Sequence, residues 1–207
     1  MAEPELPQIY LITPPEIDLS SFPNALEKIL DTVEIACLRL ALSTQDEDRL
    51  IRASDQLRSV AHARDIPVVI DTHIQLVQRL GLDGVHLHDG ARSVRAARKE
   101  LGQDAIVGTY CGNSRHDGLN AGEAGADYVS FGPVAETALG DGRHADRDLF
   151  AWWTEMIEVP VVAEGALDIA RMRELAEVTD FIAIGPEIWT NEDPLLTLRN
   201  LVAAMAG

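Results

Sequence analysis

The sequence predicts an α/β protein built as one small (β/α)8 TIM barrel over all 207 residues. Three observations carry that reading. Short apolar, β-branched runs alternate about eight times with helical patterns. The runs are continuous rather than alternating, as strands buried on both faces of a parallel sheet are. No linker or low-complexity tract divides the chain, and about eight units in ~200 residues fit a small barrel. A doubly wound open sheet is the competing architecture, but no G-x-G-x-x-G follows the first strand.

The organising stretch is Gly125-Ala126-Asp127-Tyr128-Val129-Ser130-Phe131-Gly132-Pro133-Val134. A glycine ends a helix, an apolar run follows, and Gly132-Pro133 stops it. The same grammar returns at Gly81-Leu82-Asp83-Gly84-Val85-His86-Leu87 and at Thr179-Asp180-Phe181-Ile182-Ala183-Ile184-Gly185.

In chain order, residues 8–13 form a first strand stopped by Pro14-Pro15, and Ser20 or Ser21 caps a helix from Phe22. Residues 34–40 are a second strand. Ser43 or Thr44 caps a long helix over 46–64, with Leu50, Ile51, Leu57, Val60 and Ala61 at helical spacing. Residues 67–70 are the third strand, with a short helix over 74–80. Residues 84–87 are the fourth, and Ser93 caps a helix to Leu101 that Gly102 ends. A fifth strand (105–109) precedes a helix over 114–124, and the organising stretch is the sixth. The loop 136–146 leads to a helix bearing Trp152, Trp153 and Met156. Residues 160–163 are the seventh strand, Asp168 caps the next helix, 181–184 are the eighth strand, and 195–205 close the chain.

Charge narrows the partners. Seventeen basic against 34 acidic side chains give a formal charge of -17, which argues against nucleic acid or an anionic membrane. Cys37 and Cys111 stand in no metal-like spacing, so a reduced, cytoplasmic setting is expected. No targeting segment or apolar run near 18 residues appears. Trp152 and Trp153 cannot both face the core, so one is expected on the sheet and the other at a subunit contact of a homo-oligomer.

In a barrel, function gathers just past the strand C-termini. Those positions hold Arg39, Asp71, His88, Asp89, Tyr110, Cys111, Gly132, Glu136, Thr137, Glu164, Gly165, Gly185 and Glu187. Gly165 and Gly185 follow the seventh and eighth strands, where barrels often hold a phosphate on backbone N–H groups, or they serve only tight turns. Arg39 either clamps a phosphate or forms a salt bridge inside the barrel. Asp71 lies in the mouth; with His88 and Asp89 it offers a small N/O metal set. His86 faces the barrel interior or a helix and is expected to be satisfied there. Cys111 has no evident base beside it and reads as a small apolar residue.

Five segments carry a family resemblance: Gly125–Val134, Gly81–Leu87, Val69-Ile70-Asp71, residues 160–167 and Cys37-Leu38-Arg39. In order and spacing the chain resembles thiamine-phosphate synthases and the related thiazole tautomerases. The resemblance implies a (β/α)8 barrel that joins an aminopyrimidine pyrophosphate to a thiazole phosphate with Mg2+, through a pyrimidine carbocation as pyrophosphate leaves. It places Arg39 and Thr137 on pyrophosphate as catalytic groups and Asp71 on the metal, with Asp89 or His88 partly replacing a second carboxylate that falls on Ala91. Gly132, Gly165 and Gly185 would line the site for a small phosphorylated molecule.

The match has gaps. The family's pyrimidine-binding glutamine is Cys37, and its lysines are Ala41 and Gly140. Its Ser-x-His is Tyr110-Cys111-Gly112, and a serine near the thiazole phosphate is Pro186. Glu136, Glu164 and Glu187 enter where phosphate is expected. One carboxylate ~4 Å from a phosphate charge costs about 4 kcal/mol at an effective dielectric near 20. Arg115, Arg143 and His144 are the nearby cations that can return charge. The expectation is therefore a synthase-like protein with a partly degenerate site. The alternatives are a lapsed homologue that binds another small ligand or a protein, and a tautomerase-like isomerase.

Overall fold

β-Branched and apolar runs too short to be helices pair side by side in the computed structural model, which describes residues 6–137 and 142–206. Among the described residues the strands are β1 (Gln8–Ile12), β2 (Ile35–Leu40), β3 (Val68–Asp71), β4 (Gly84–Leu87), β5 (Ile106–Tyr110), β6 (Tyr128–Phe131), β7 (Val161–Glu164) and β8 (Phe181–Ile184). Each pairs in parallel with the next, and β8 returns to β1 with Gln8 opposite Phe181 and Leu11 opposite Ile184. The sheet is closed, so the open doubly wound alternative is excluded.

Helices follow each strand: α1 (Phe22–Leu30), α2 (Glu47–His62), α3 (Ile74–Leu80), α4 (Val94–Leu101), α5 (Arg115–Glu123), α6 (Arg147–Met156), α7 (Ile169–Leu175), the one-turn α8 (Pro186–Trp189) and α9 (Pro194–Met205). Three cap assignments change. Asp46 caps α2, accepting from the Arg49 N–H at 3.0 Å, while Thr44 Oγ1 serves only the Asp46 N–H. An aspartate directly before the first turn wins over hydroxyls two residues further out. Ser93 donates to Asp89 at 2.6 Å and makes no cap bond to α4, and Ser21 leaves α1 without a side-chain cap. Asp168 caps α7 as expected. No helix among the described residues is long and apolar enough to cross a membrane.

Strand alternation sorts the core into two layers. Leu11, Leu38, Leu40, Ile70, Val85 and Val129 pack against the helices, whereas Tyr10, Ile12, Cys37, Val69, Tyr128, Val162 and Ala183 form a separate interior group. Gly108 makes room there: a methyl group on it would stand 1.9 Å from the Tyr128 ring. Trp153 is fully buried against Phe131, while Trp152 is partly exposed under the Arg115 guanidinium.

The aspartate that recurs before these strands has a mechanical cause. Asp83, Asp127 and Asp180 each sit just before an even-numbered strand, and each carboxylate accepts a backbone N–H from the preceding strand. The acceptors take Val68 at 2.6 Å, Val107 at 2.7 Å and Val161 at 2.8 Å. Strand N-terminal donors that the ladder leaves over are satisfied this way at the bottom of the barrel.

Candidate functional site

At the opposite, C-terminal end, the inward positions of β2, β3 and β7 finish in Arg39, Asp71 and Glu164. Arg39 is 5 % exposed. Its Nη1 donates to Glu164 Oε2 at 3.0 Å, and its Nε lies 3.3 Å from Asp71 Oδ1. The second contact is an ion pair without hydrogen-bond alignment, because neither atom has a hydrogen-bond partner. Asp71 Oδ2 lies 3.0 Å from His88 Nε2. Burial disfavours the Arg39 charge, but the neighbouring Glu164 first, then Tyr10 and Asp71, outweigh it and raise the guanidinium pKa. Arg39 thus makes the salt bridge of one sequence reading, and it stands in the mouth where the other reading needs it.

Beneath this layer the interior is bridged by side chains. The Tyr10 and Tyr128 hydroxyls are 2.7 Å apart, and Tyr128 Oη lies 2.9 Å from His86 Nδ1. Burial first, then the nearby Arg39 and His88, pushes the His86 pKa well below its ordinary value, so the ring is neutral. Burial first and neighbouring ionisable groups second raise both tyrosines. His86 is inside the barrel as expected but only half satisfied: Nε2 has no partner, nor does the buried Ser130 Oγ.

The other expected residues scatter around the rim. Asp89 is bound by the Ser93 hydroxyl, and Asp71 by Arg39 and His88. Among the described residues no three His, Cys, Asp or Glu side chains are grouped to hold a metal. Mg2+ is commonly held by one or two carboxylates together with substrate phosphates, and Asp71 at the mouth is the carboxylate so placed. The Gly132 N–H donates to the Gly112 carbonyl at 2.9 Å, and a Cβ there would meet the Glu164 carbonyl oxygen at 2.1 Å. This glycine is required by the approach of β6 to β7. Gly165 adopts φ +78 beside Pro133, and the Gly185 N–H is taken by Glu187. Thr137 and Glu136 are exposed on the loop after β6, and Gly140 lies outside the described residues.

Of the cations expected to return charge, Arg115 turns to Trp152, 4.7 Å from its ring. Arg143 lines a cleft of about 510 Å³ over the ends of β4, β5 and β6, together with His88, Asp89, Tyr110, Cys111 and Asn113. Cys111 is buried, and burial pushes its thiol up to about 12, which suits the apolar reading. Sequence reasoning placed Glu164 near the site but did not join it to Arg39. It also missed Tyr10 and Tyr128 as interior groups. Strand parity held the signal, since Glu164 shares a face with Val162 and Tyr128 with Ser130.

With this geometry in view, four similarities are informative. A thiamine-phosphate synthase of Rhodospirillum centenum is 38% identical over 186 residues, covering 89% of this chain and 90% of that protein. One from Erythrobacter litoralis is 34% identical over 200 residues, covering 93% of each. The solved thiamine phosphate pyrophosphorylase of Pyrococcus furiosus superposes with a TM-score of 0.81 over 96% of this chain and 95% of that one; at 22% identity it speaks for the fold. The family model described as thiamine monophosphate synthase matches residues 9–188, so the chain belongs to the thiamine monophosphate synthase family.

Proposed function

We propose that this chain catalyses the coupling the family resemblance implies: a thiazole ring nitrogen attacks the methylene carbon of an aminopyrimidine pyrophosphate, and the C–O bond to pyrophosphate breaks. The observation that carries it is Arg39, a buried guanidinium held at the strand tips of the barrel mouth. A departing pyrophosphate gathers negative charge, and a fixed cation in a partly dry mouth stabilises it more than bulk water does. To meet it, Arg39 exchanges Glu164 for a phosphate oxygen, while Asp71 keeps the guanidinium oriented. His88, 3.0 Å from Asp71 and 42% exposed, stands on the cleft side of the same group. No step is assigned to a metal.

A second reading, ligand binding without coupling, rests on one specific fact: two carboxylates already match the Arg39 charge. A coupling assay with both substrates, with and without Mg2+, separates the two. Product formation that Arg39→Met abolishes, by a thousandfold or more, supports the coupling. No product at any metal concentration, with both substrates bound in calorimetry, supports binding alone.

A further inference from the structure

Helix α4 and its lead-in carry the densest run of positive charge on this acidic chain: Arg92, Arg95, Arg98 and Lys99. One of them is structural. Arg98 turns toward the foot of the barrel, pairs with Asp127, and donates to the Gly125 carbonyl at 2.9 Å and the Ala105 carbonyl at 2.6 Å. The other three are exposed, and none has a carboxylate partner among the described residues. Arg95 and Lys99 are neighbours at i and i+4 on one helix face, and Arg92 stands just ahead of the first turn. Arg92 also lines the cleft over the ends of β4, β5 and β6, so the row starts at the mouth. Lys99 lies about 10 Å farther down the outer wall, at a helical rise of 1.5 Å per residue.

Inside the mouth the charges nearly cancel. Arg39 faces Glu164 and Asp71, and Arg92 and Arg143 share the cleft with Asp89 and Asp117. The chain as a whole, at -17, repels an anion. Along α4 the local balance is reversed, because Glu100 is the one carboxylate on the helix. At physiological salt a charge is felt over only about 8 Å. The local excess therefore decides what an anion close to α4 experiences, and the total charge does not. The attraction grows with the charge of the ligand, so a pyrophosphate ester gains more from it than a monophosphate. Resting on the coupling reaction proposed above, we infer that Arg92, Arg95 and Lys99 form an approach surface that steers the pyrophosphate substrate to the barrel mouth. These side chains act before binding, and Arg39 remains the group that meets the phosphate.

Stopped-flow association of the whole chain with inorganic pyrophosphate and with the aminopyrimidine pyrophosphate tests this. For the wild-type protein the association rate is expected to fall as salt rises from about 0.01 M to about 0.3 M; the total charge acting alone would make it rise. The double change Arg95→Glu with Lys99→Glu should slow association at low salt at least tenfold, the lower end of what steering supplies, with dissociation and kcat unchanged. The control is Lys28→Glu with Arg199→Glu, which alters the net charge equally at exposed positions of α1 and α9, across the barrel from α4. It should change association by less than about threefold, well short of the steering range. The wild-type salt series needs no variant, and melting curves check that both variants fold. Wild-type association that quickens with salt, or equal rates in the two double variants, overturns the steering role and leaves the coupling reaction standing. No association of either pyrophosphate with the wild-type chain at any salt overturns both.

Discussion

The two ends of this barrel use the same bond for opposite ends. At the bottom, Asp83, Asp127 and Asp180 each accept a backbone N–H from the strand before them. At the top, Glu187 does likewise with Gly185 and Leu167, and Glu164 does so with the Arg39 side chain. Below, the donors are leftovers of the ladder, and satisfying them fixes strand register. Above, the donors belong to the region where barrels bind ligands, so an anion that reaches them has to displace a carboxylate first. A carboxylate on an amide is therefore not informative by itself; its position along the strand decides whether it is read as stability or as selectivity.

Substitutions at each end break or sharpen that contrast. The largest effect is expected at the bottom. Asp127→Ala removes both the Val107 bond and the Arg98 pair, and should lower urea stability by about 2 kcal/mol with pyrophosphate affinity unchanged. If calorimetry shows the affinity falling with it, the two ends are not separate. At the top, Glu164→Gln frees Arg39 from a full charge. It should tighten binding of inorganic pyrophosphate at least tenfold, worth about 1.4 kcal/mol, while a urea titration shifts far less than for Asp127→Ala. Unchanged affinity would mean that Glu164 does not compete for Arg39.

The smallest effect comes from the layer between the ends. His86 is neutral in the fold because its pKa is depressed, whereas the unfolded chain takes up a proton near pH 6.5. The unfolded state then binds more protons below that pH, so stability falls as pH falls. The loss between pH 6.5 and 5.5 is about 1 kcal/mol. His86→Gln, which keeps a group for Tyr128, should flatten that part of the stability profile. A slope equal to wild type would show that His86 titrates normally.

The fold was legible because it depends on pattern: eight buried runs gave the strand count, and an aspartate stands just before three of them. Caps were less so, because Ser43, Thr44 and Asp46 all suit the role and only geometry tells which oxygen meets Arg49. In the site, Arg39 and Asp71 were found from strand ends, and their pairing confirms that the ends converge. Asp89 was grouped with Asp71 because it follows the end of the fourth strand; it lines the same cleft as His88, and its carboxylate accepts the Ser93 hydroxyl. What sequence position could not convey was who partners whom across the mouth. The join of Arg39 to Glu164 spans 125 residues, and it arises only once β7 has travelled most of the way round to face β2.

Tyr10, Tyr128 and His86, drawn from β1, β6 and β4, meet across the lumen and act as a stopper. The barrel consequently has one doorway. Whatever enters above Arg39 has to leave the same way.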